Sequence, residues 1–396
     1  MLEFFSASTR MVNSRNAISE CMESALGGNK ACDLVMVNAT IGHDYQALID
    51  RVRELAPAAR VLGASCCGIV GREGVSESMK DVAIMAVRGH EFGVAHVDGI
   101  NGRNAYAKAV ELGMQLRAAQ PGINMIHFLA SGIDIANDRC IAGLESVFGP
   151  DVTIFGATSA DNMRGVVSYQ MVDDQVFEHA AWALGFADPT LHLDTQATHG
   201  FLATGEPMTV TRADGTRIIE LDGLPAWQAY TARLGLDIST ATCGDSIPVG
   251  ALAESLPDAL AAEYGNTHIL RVVTRRDADG TMHYPVEIQA GTKLWLTVRD
   301  EARIFSDMDR MMGQMASRAG ASKPVAVFHA DCLARGRFLF NRVMKEELVS
   351  RMQFPLSTDG VPPPWLGMYG FGEFARLGGN NTYHNYTTAI YAIYRK

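Results

Sequence analysis

The stretch Cys32–Gly71, CDLVMVNATIGHDYQALIDRVRELAPAARVLGASCCGIVG, is echoed by Ile123–Asn162, INMIHFLASGIDIANDRCIAGLESVFGPDVTIFGATSADN, at an offset of 93 residues from Gly63 to Gly156. Each copy reads as an apolar strand ending in small polar residues (Asn38-Ala39-Thr40; Ala130-Ser131-Gly132), a helix with spaced apolar positions, and a second strand ending in Gly-Ala-Ser or Gly-Ala-Thr. Each then returns along another strand, VAIMAV at 82–87 and AAWALGF at 180–186. The C-terminal part repeats this grammar. PVAVFHADC is its first strand, FNRVMKEELVSRM its helix, PWLGMYGFGE its second strand and YTTAIYAIY its return, so a third, diverged copy is expected. A strand–helix–strand unit of this kind makes a parallel pair with a right-handed crossover, with both strand faces buried.

Between the halves, MTVTRADGTRIIEL and ILRVVTRRDADGTMHYPVEI both read as β-hairpins, because Asp-Gly tolerates the positive φ of a tight turn. The helix EARIFSDMDRMMGQMASRAG carries Ile304, Met308, Met311, Met312 and Met315 on one stripe, which reads as plain core. The expected boundary is Gly205-Glu206-Pro207, giving domains 1–206 and 207–396. The fold class is therefore α/β: a duplicated strand-helix-strand N-terminal half with mixed sheets, plus an α/β C-terminal domain containing β-hairpins.

With 396 residues, 47% hydrophobic and 20% charged, the chain has material for more than one core. A net charge of −10 argues against nucleic acid and against anionic membrane surfaces as partners. The first residues, MLEFFSASTRMVNSRN, have no apolar signal-peptide core, and no apolar run approaches the roughly 20 residues a membrane span needs. Seven scattered cysteines fit reduced thiols. A cytoplasmic location is expected. GASCCGIVGREG lacks the Lys of a phosphate loop, and no Cys-x-x-Cys or His-x-x-x-His pair suggests zinc.

Candidate chemistry gathers near the C-terminus. The strand ending at Phe328 delivers His329, Asp331, Cys332, Arg335 and Arg337 in quick succession, where ligands bind beyond the carboxyl ends of strands. WLGMYGFGEFARLGGNNTYHNYTTAIYAIY adds Gly370, Glu373, Asn381, His384 and Asn385 among glycines that allow close backbone approach. A Gly-rich turn between two sheet strands is the competing reading. Arg335 suits a ligand carboxylate and Glu373 an ammonium, at a solvent-accessible site.

These segments resemble the C-terminal half of FIST proteins, a family of intracellular signal-transduction sensors, through Cys332 with Arg335, Gly367 to Glu373, and His384-Asn385 with Thr387. Val210 to Gly235 looks like the entry to the FIST C domain, and the first two hundred residues look like FIST N. The resemblance implies a sensor of a small molecule, such as an amino acid, signalling to a separate histidine kinase or cyclic-dinucleotide enzyme, without catalysis. It also implies a NosP-type alternative, a haem b and nitric oxide sensor, with His329 as axial ligand, Arg335 or Arg337 at a propionate, and Cys332 and His384 as competing ligands. A third reading, a thiol enzyme built on Cys332 and His329, remains open.

Overall fold

The computed structural model describes residues 1–162, 164–246, 251–336 and 340–396. Its first repeat is the strand Leu34–Thr40, the helix Tyr45–Leu55 and the strand Arg60–Cys66; its second is Met125–Ala130, Asn137–Phe148 and Thr153–Thr158. In each unit the two strands pair in parallel, Val37 opposite Gly63 and Phe128 opposite Gly156. The first helix starts where the Asp44 side chain accepts the Ala47 amide, and it turns Leu48, Ile49 and Val52 onto the sheet. The return strands Val82–Arg88 and Ala180–Phe186 run antiparallel beside the first strand of each unit. Glu3–Thr9 and Phe92–Asp98 then close the outer edges.

The C-terminal copy is a complete third unit. Ala326–Cys332 lies parallel to Trp365–Gly370 with His329 opposite Gly367, Arg342–Gln353 is the crossover helix, Thr388–Arg395 returns, and Leu191–Thr198 is the edge strand. Gly63, Gly156 and Gly367 thus occupy one structural position. A Cβ on Gly156, whose φ is +134°, would sit 2.1 Å from the Phe128 carbonyl oxygen, so the strands pair this closely only with glycine there.

After its second parallel strand, each unit sends a hairpin into another unit's sheet. Ile69–Gly71, backed by Gly74–Ser76, pairs with Trp365–Gly370 of the third unit. Gln170–Val172, backed by Gln175–Phe177, pairs with Arg60–Cys66 of the first. Glu373–Leu377, backed by Asn380–His384, pairs with Thr153–Thr158 of the second. The result is three six-stranded sheets joined in a ring.

Their inner faces meet on an aromatic core in which the Phe155 ring lies 5.7 Å from Phe328 and 5.2 Å from Tyr391. Burying each such side chain contributes about 1.5–3 kcal/mol. Two buried polar tips tie the sheets together. Trp182 Nε1 donates to the Gly63 carbonyl and the Tyr391 hydroxyl to that of Gly156, both at 2.9 Å. A pair of helices packs on each outer face: Ser14–Leu26 with Tyr45–Leu55, Ala105–Ala119 with Asn137–Phe148, and Glu301–Ala319 with Arg342–Gln353. The methionine stripe of Glu301–Ala319 is core, as expected: Met308, Met311, Met312 and Met315 are all buried against the third sheet.

A fourth sheet, built from strands between Phe201 and Arg299, is inserted into the third unit between its edge strand and its first helix. It contains both anticipated hairpins. Asp214 faces Arg217 around Gly215, φ +57°, and Arg276 faces Met282 around a loop with Gly280, φ +86°. Residue 206 falls within the strand Phe201–Asp214, where the register shifts between Thr204 and Met208. Two of the three unit sheets combine strands from both sides of that residue. Among the described residues no helix is long and apolar enough to cross a membrane.

Candidate functional site

The strand Ala326–Cys332 ends in a single 3-10 turn, Leu333–Arg335, that folds Arg335 back onto Asp331. Arg335 Nε donates to Asp331 Oδ1 at 3.0 Å and Nη1 to the His199 carbonyl at 2.8 Å, while Nη2 has no hydrogen-bond partner among the described residues. His329 Nε2 lies 2.9 Å from the Thr388 hydroxyl and 3.5 Å from Asp331 Oδ2. Glu373 enters from the exchanged hairpin after Gly370-Phe371-Gly372. It has no exposed surface, and among the described residues neither carboxylate oxygen has a partner at hydrogen-bonding geometry. Burial, reinforced by the charge of Asp331, holds its carboxyl well above the usual range, against the pull of Arg335 and of the facing Thr387 amide. Burial and the Glu373 charge likewise push the Cys332 thiol up, although the Ala334 and Tyr386 amides face the sulfur. Cys332, Arg335 and Glu373 are therefore interior residues, not the solvent-accessible groups expected.

The other two units show what the fold itself requires here. By sheet register, Gln170 occupies the place of Glu373, since Gln170 pairs with Ala64 and Glu373 with the equivalent Ala157. Gln170 is fully bonded: Nε2 donates to the Ser159 hydroxyl at 2.7 Å and Oε1 accepts the Ala180 amide at 2.8 Å. In the third unit Gly370 stands where Ser159 would be, and the carboxylate is left alone. Asp331 corresponds to Ala39 and Ala130, and Cys332 to Thr40 and Ser131. An uncharged residue serves at each of these positions elsewhere in the molecule, so folding does not demand the charged cluster. Such a cluster is a candidate for function.

Beside it lies a cavity of about 690 Å³, where the inserted sheet faces the second and third units. Cys332, Leu333, Ala334, Phe371 and Tyr383 line its inner end. Gly132 forms part of the wall, where a Cβ would sit 2.0 Å from the Ser159 carbonyl oxygen. Arg164, Arg275, Arg276 and His283 line the outer end, together with Asp134. Asp161 shapes the loop that carries Arg164, its carboxylate accepting the amides of Arg164, Gly165 and Val166 at 2.7, 3.0 and 2.8 Å. Arg275 pairs with Asp277 at 3.2 Å, and Arg276 lies over the Trp227 ring at 5.2 Å. Among the described residues neither Arg164 nor Arg276 has a carboxylate partner. Neither was singled out from sequence. Arg276 carried only the signal of the Arg275-Arg276 pair at a hairpin, which reads as an exposed turn, and Arg164 carried none.

The remaining expected residues hold the frame together. Asn381 accepts the Ile154 amide and donates to Glu145 and to the Val152 carbonyl, fastening the third hairpin to the second sheet. Both His384 nitrogens are engaged, with the Tyr264 hydroxyl at 3.1 Å and the Thr382 hydroxyl at 2.7 Å, and burial lowers its pKa to about 3. Asn385 donates to the Phe371 carbonyl, fixing the loop over Gly370. His329 borders a cavity of only about 10 Å³, room for one water-sized sphere and far too little for a porphyrin. The histidines named for haem do not fit it, and Arg337 lies outside the described residues.

Three ring-joined α/β units with an inserted sheet beside a buried polar cluster define the class of fold, and comparison places it. The FIST N domain model matches residues 33–224 and the FIST C domain model residues 226–376. The chain belongs to the FIST family, whose domains are sensors in signal transduction. Two uncharacterized proteins, from two strains of Mycobacterium tuberculosis, are 22% identical over 383 residues, 94% of either chain. Among solved structures, cyanuric acid hydrolase from A. caulinodans covers 100% of this chain and 99% of its own at a TM-score of 0.38 and 7% identity. PurLQS from Thermotoga maritima covers 100% and 72% at a TM-score of 0.22 and 9% identity. Both likenesses are too slight to argue from.

Proposed function

We propose that this chain is a cytoplasmic sensor that binds a small anionic or zwitterionic metabolite in the 690 Å³ cavity. The acid group sits at Arg164 and Arg276 and the other end over Cys332. The observation that carries this reading is that one of three equivalent positions holds a charged cluster where the other two hold uncharged residues, and that a ligand-sized cavity reaches that cluster. Arg335 is the inner support of the site, since two of its three nitrogens already hold Asp331 and His199. A ligand touching both the inserted sheet and Cys332 stabilises the arrangement in which that sheet is closed on the units, and this difference is what a separate partner, such as a histidine kinase or cyclic-dinucleotide enzyme, reads. The site binds and signals without turnover.

Isothermal titration against a panel of amino acids and small hydroxy- and oxo-acids tests the placement. Loss of two charge-assisted contacts in the R164A/R276A double variant weakens binding at least about tenfold. Unaltered affinity in that variant would place the ligand elsewhere.

A further inference from the structure

The cavity's inner end carries a second observation, which rests on that ligand site and gives its occupant a chemical class. Cys332 lines the cavity and pairs with Gly370, three residues before the wholly buried Glu373, whose charge acts on the thiol and whose oxygens have no hydrogen-bond partner among the described residues. Thr387 spans the two: its carbonyl accepts the Cys332 amide at 3.0 Å and its own amide faces the Glu373 carboxylate. The amides of Ala334 and Tyr386 face the sulfur, and Tyr386 takes φ +55°, a left-handed conformation that a bulky residue adopts only under constraint. Gly370 leaves this pocket free of the hydroxyl that binds the equivalent Gln170 in the second unit.

We propose that Cys332 and Glu373 form a nucleophile and proton-relay pair that captures a small anionic aldehyde or ketone as a reversible thiohemiacetal. The sulfur–carbon bond forms as the carbonyl π bond breaks. The Glu373 carboxyl gives its proton to the forming alkoxide as its other oxygen takes the thiol proton, leaving a hydroxyl and a carboxyl, so atoms and charge balance without a co-reactant and the reverse step releases ligand and thiol. A carboxyl buried beside Asp331 keeps a proton to pass on, and the Ala334 and Tyr386 amides steady the sulfur while its own proton is away. The arginines at the outer end select a carbonyl compound that also bears an acid group. Capture and release without turnover suits a sensor.

The test uses the full chain with glyoxylate labelled with carbon-13 at the aldehyde as probe, and glycolate, its counterpart without the carbonyl, as control. The expected result is a protein-bound tetrahedral carbon resonance, distinct from free hydrate, that is absent in C332S. E373Q slows carboxymethylation of Cys332 by iodoacetate on the order of a hundredfold, read by peptide mass spectrometry, while Cys243 in the same cavity reacts unchanged. Gln is the residue the fold already carries at position 170, and E373D, which keeps the carboxylate, recovers part of the rate. C332S that still binds glycolate while wild type forms no adduct overturns the covalent step and leaves the ligand site standing. Failure of both glycolate binding and adduct formation in wild type overturns the site itself. An unchanged Cys332 rate in E373Q overturns the proton relay.

Discussion

Arg335 and Asp331 form a buried ion pair at 3.0 Å, both about 1% exposed, and taking away one partner leaves the other's charge desolvated. R335A should therefore cost about 3–5 kcal/mol in urea denaturation, far more than a surface arginine. A ligand-binding defect in that variant would reflect lost structure. Glu373 is the opposite case. Its carboxyl titrates well above the unfolded value of 4.5, so the folded state holds a proton that the unfolded state gives up. Its contribution is fully present below about pH 4.5 and is lost as pH rises through the folded pKa. E373Q should match wild type in acid and become the more stable of the two across that window. Denaturation at a series of pH values checks this, and a constant gap would mean that Glu373 is not the group responsible.

At the scale of elements, the strand pairs of all three units depend on a glycine at one position. G156A combines a strained φ with a contact against the Phe128 carbonyl and should destabilise by at least about 1–3 kcal/mol in thermal denaturation. G28A, with nothing within 4 Å, should be close to neutral. The strand–helix–strand units were legible in sequence because long apolar strands, spaced helix positions and the repeated Gly-Ala-Ser/Thr are local signals. Both Asp-Gly hairpins were legible for the same reason. The exchanged hairpins were not: a three-residue strand such as Ile69–Gly71 carries no periodicity, and its partner lies nearly 300 positions away in sequence. The site divides the same way. Cys332, Arg335 and Glu373 stand out beside strand ends, but Arg164 and Arg276 meet across the cavity only through tertiary structure, and burial, which makes Arg335 and His384 structural, has no sequence signature at a polar residue.

At the scale of the whole molecule, pieces divided at Glu206 should not fold alone. The N-terminal piece would lack Trp365–Gly370, which pairs with its first hairpin, and the C-terminal piece would lack Thr153–Thr158, which pairs with the third. Size-exclusion chromatography of each piece, and of the two co-expressed, distinguishes aggregation from reassembly; a monodisperse C-terminal piece would argue against this interdependence. The ring of exchanged hairpins has a further consequence, for the escape of protons to solvent. Strands of three to five residues near a sheet edge ordinarily fray within their own element, and their amides then exchange quickly. Here Ile69–Gly71, Gln170–Val172 and Glu373–Leu377 each lie between a neighbouring unit's strand and a second hairpin arm, so none can open without parting two units. Their amides should exchange with deuterium as slowly as those of the central strands, all at one rate, that of the molecule coming apart as a whole.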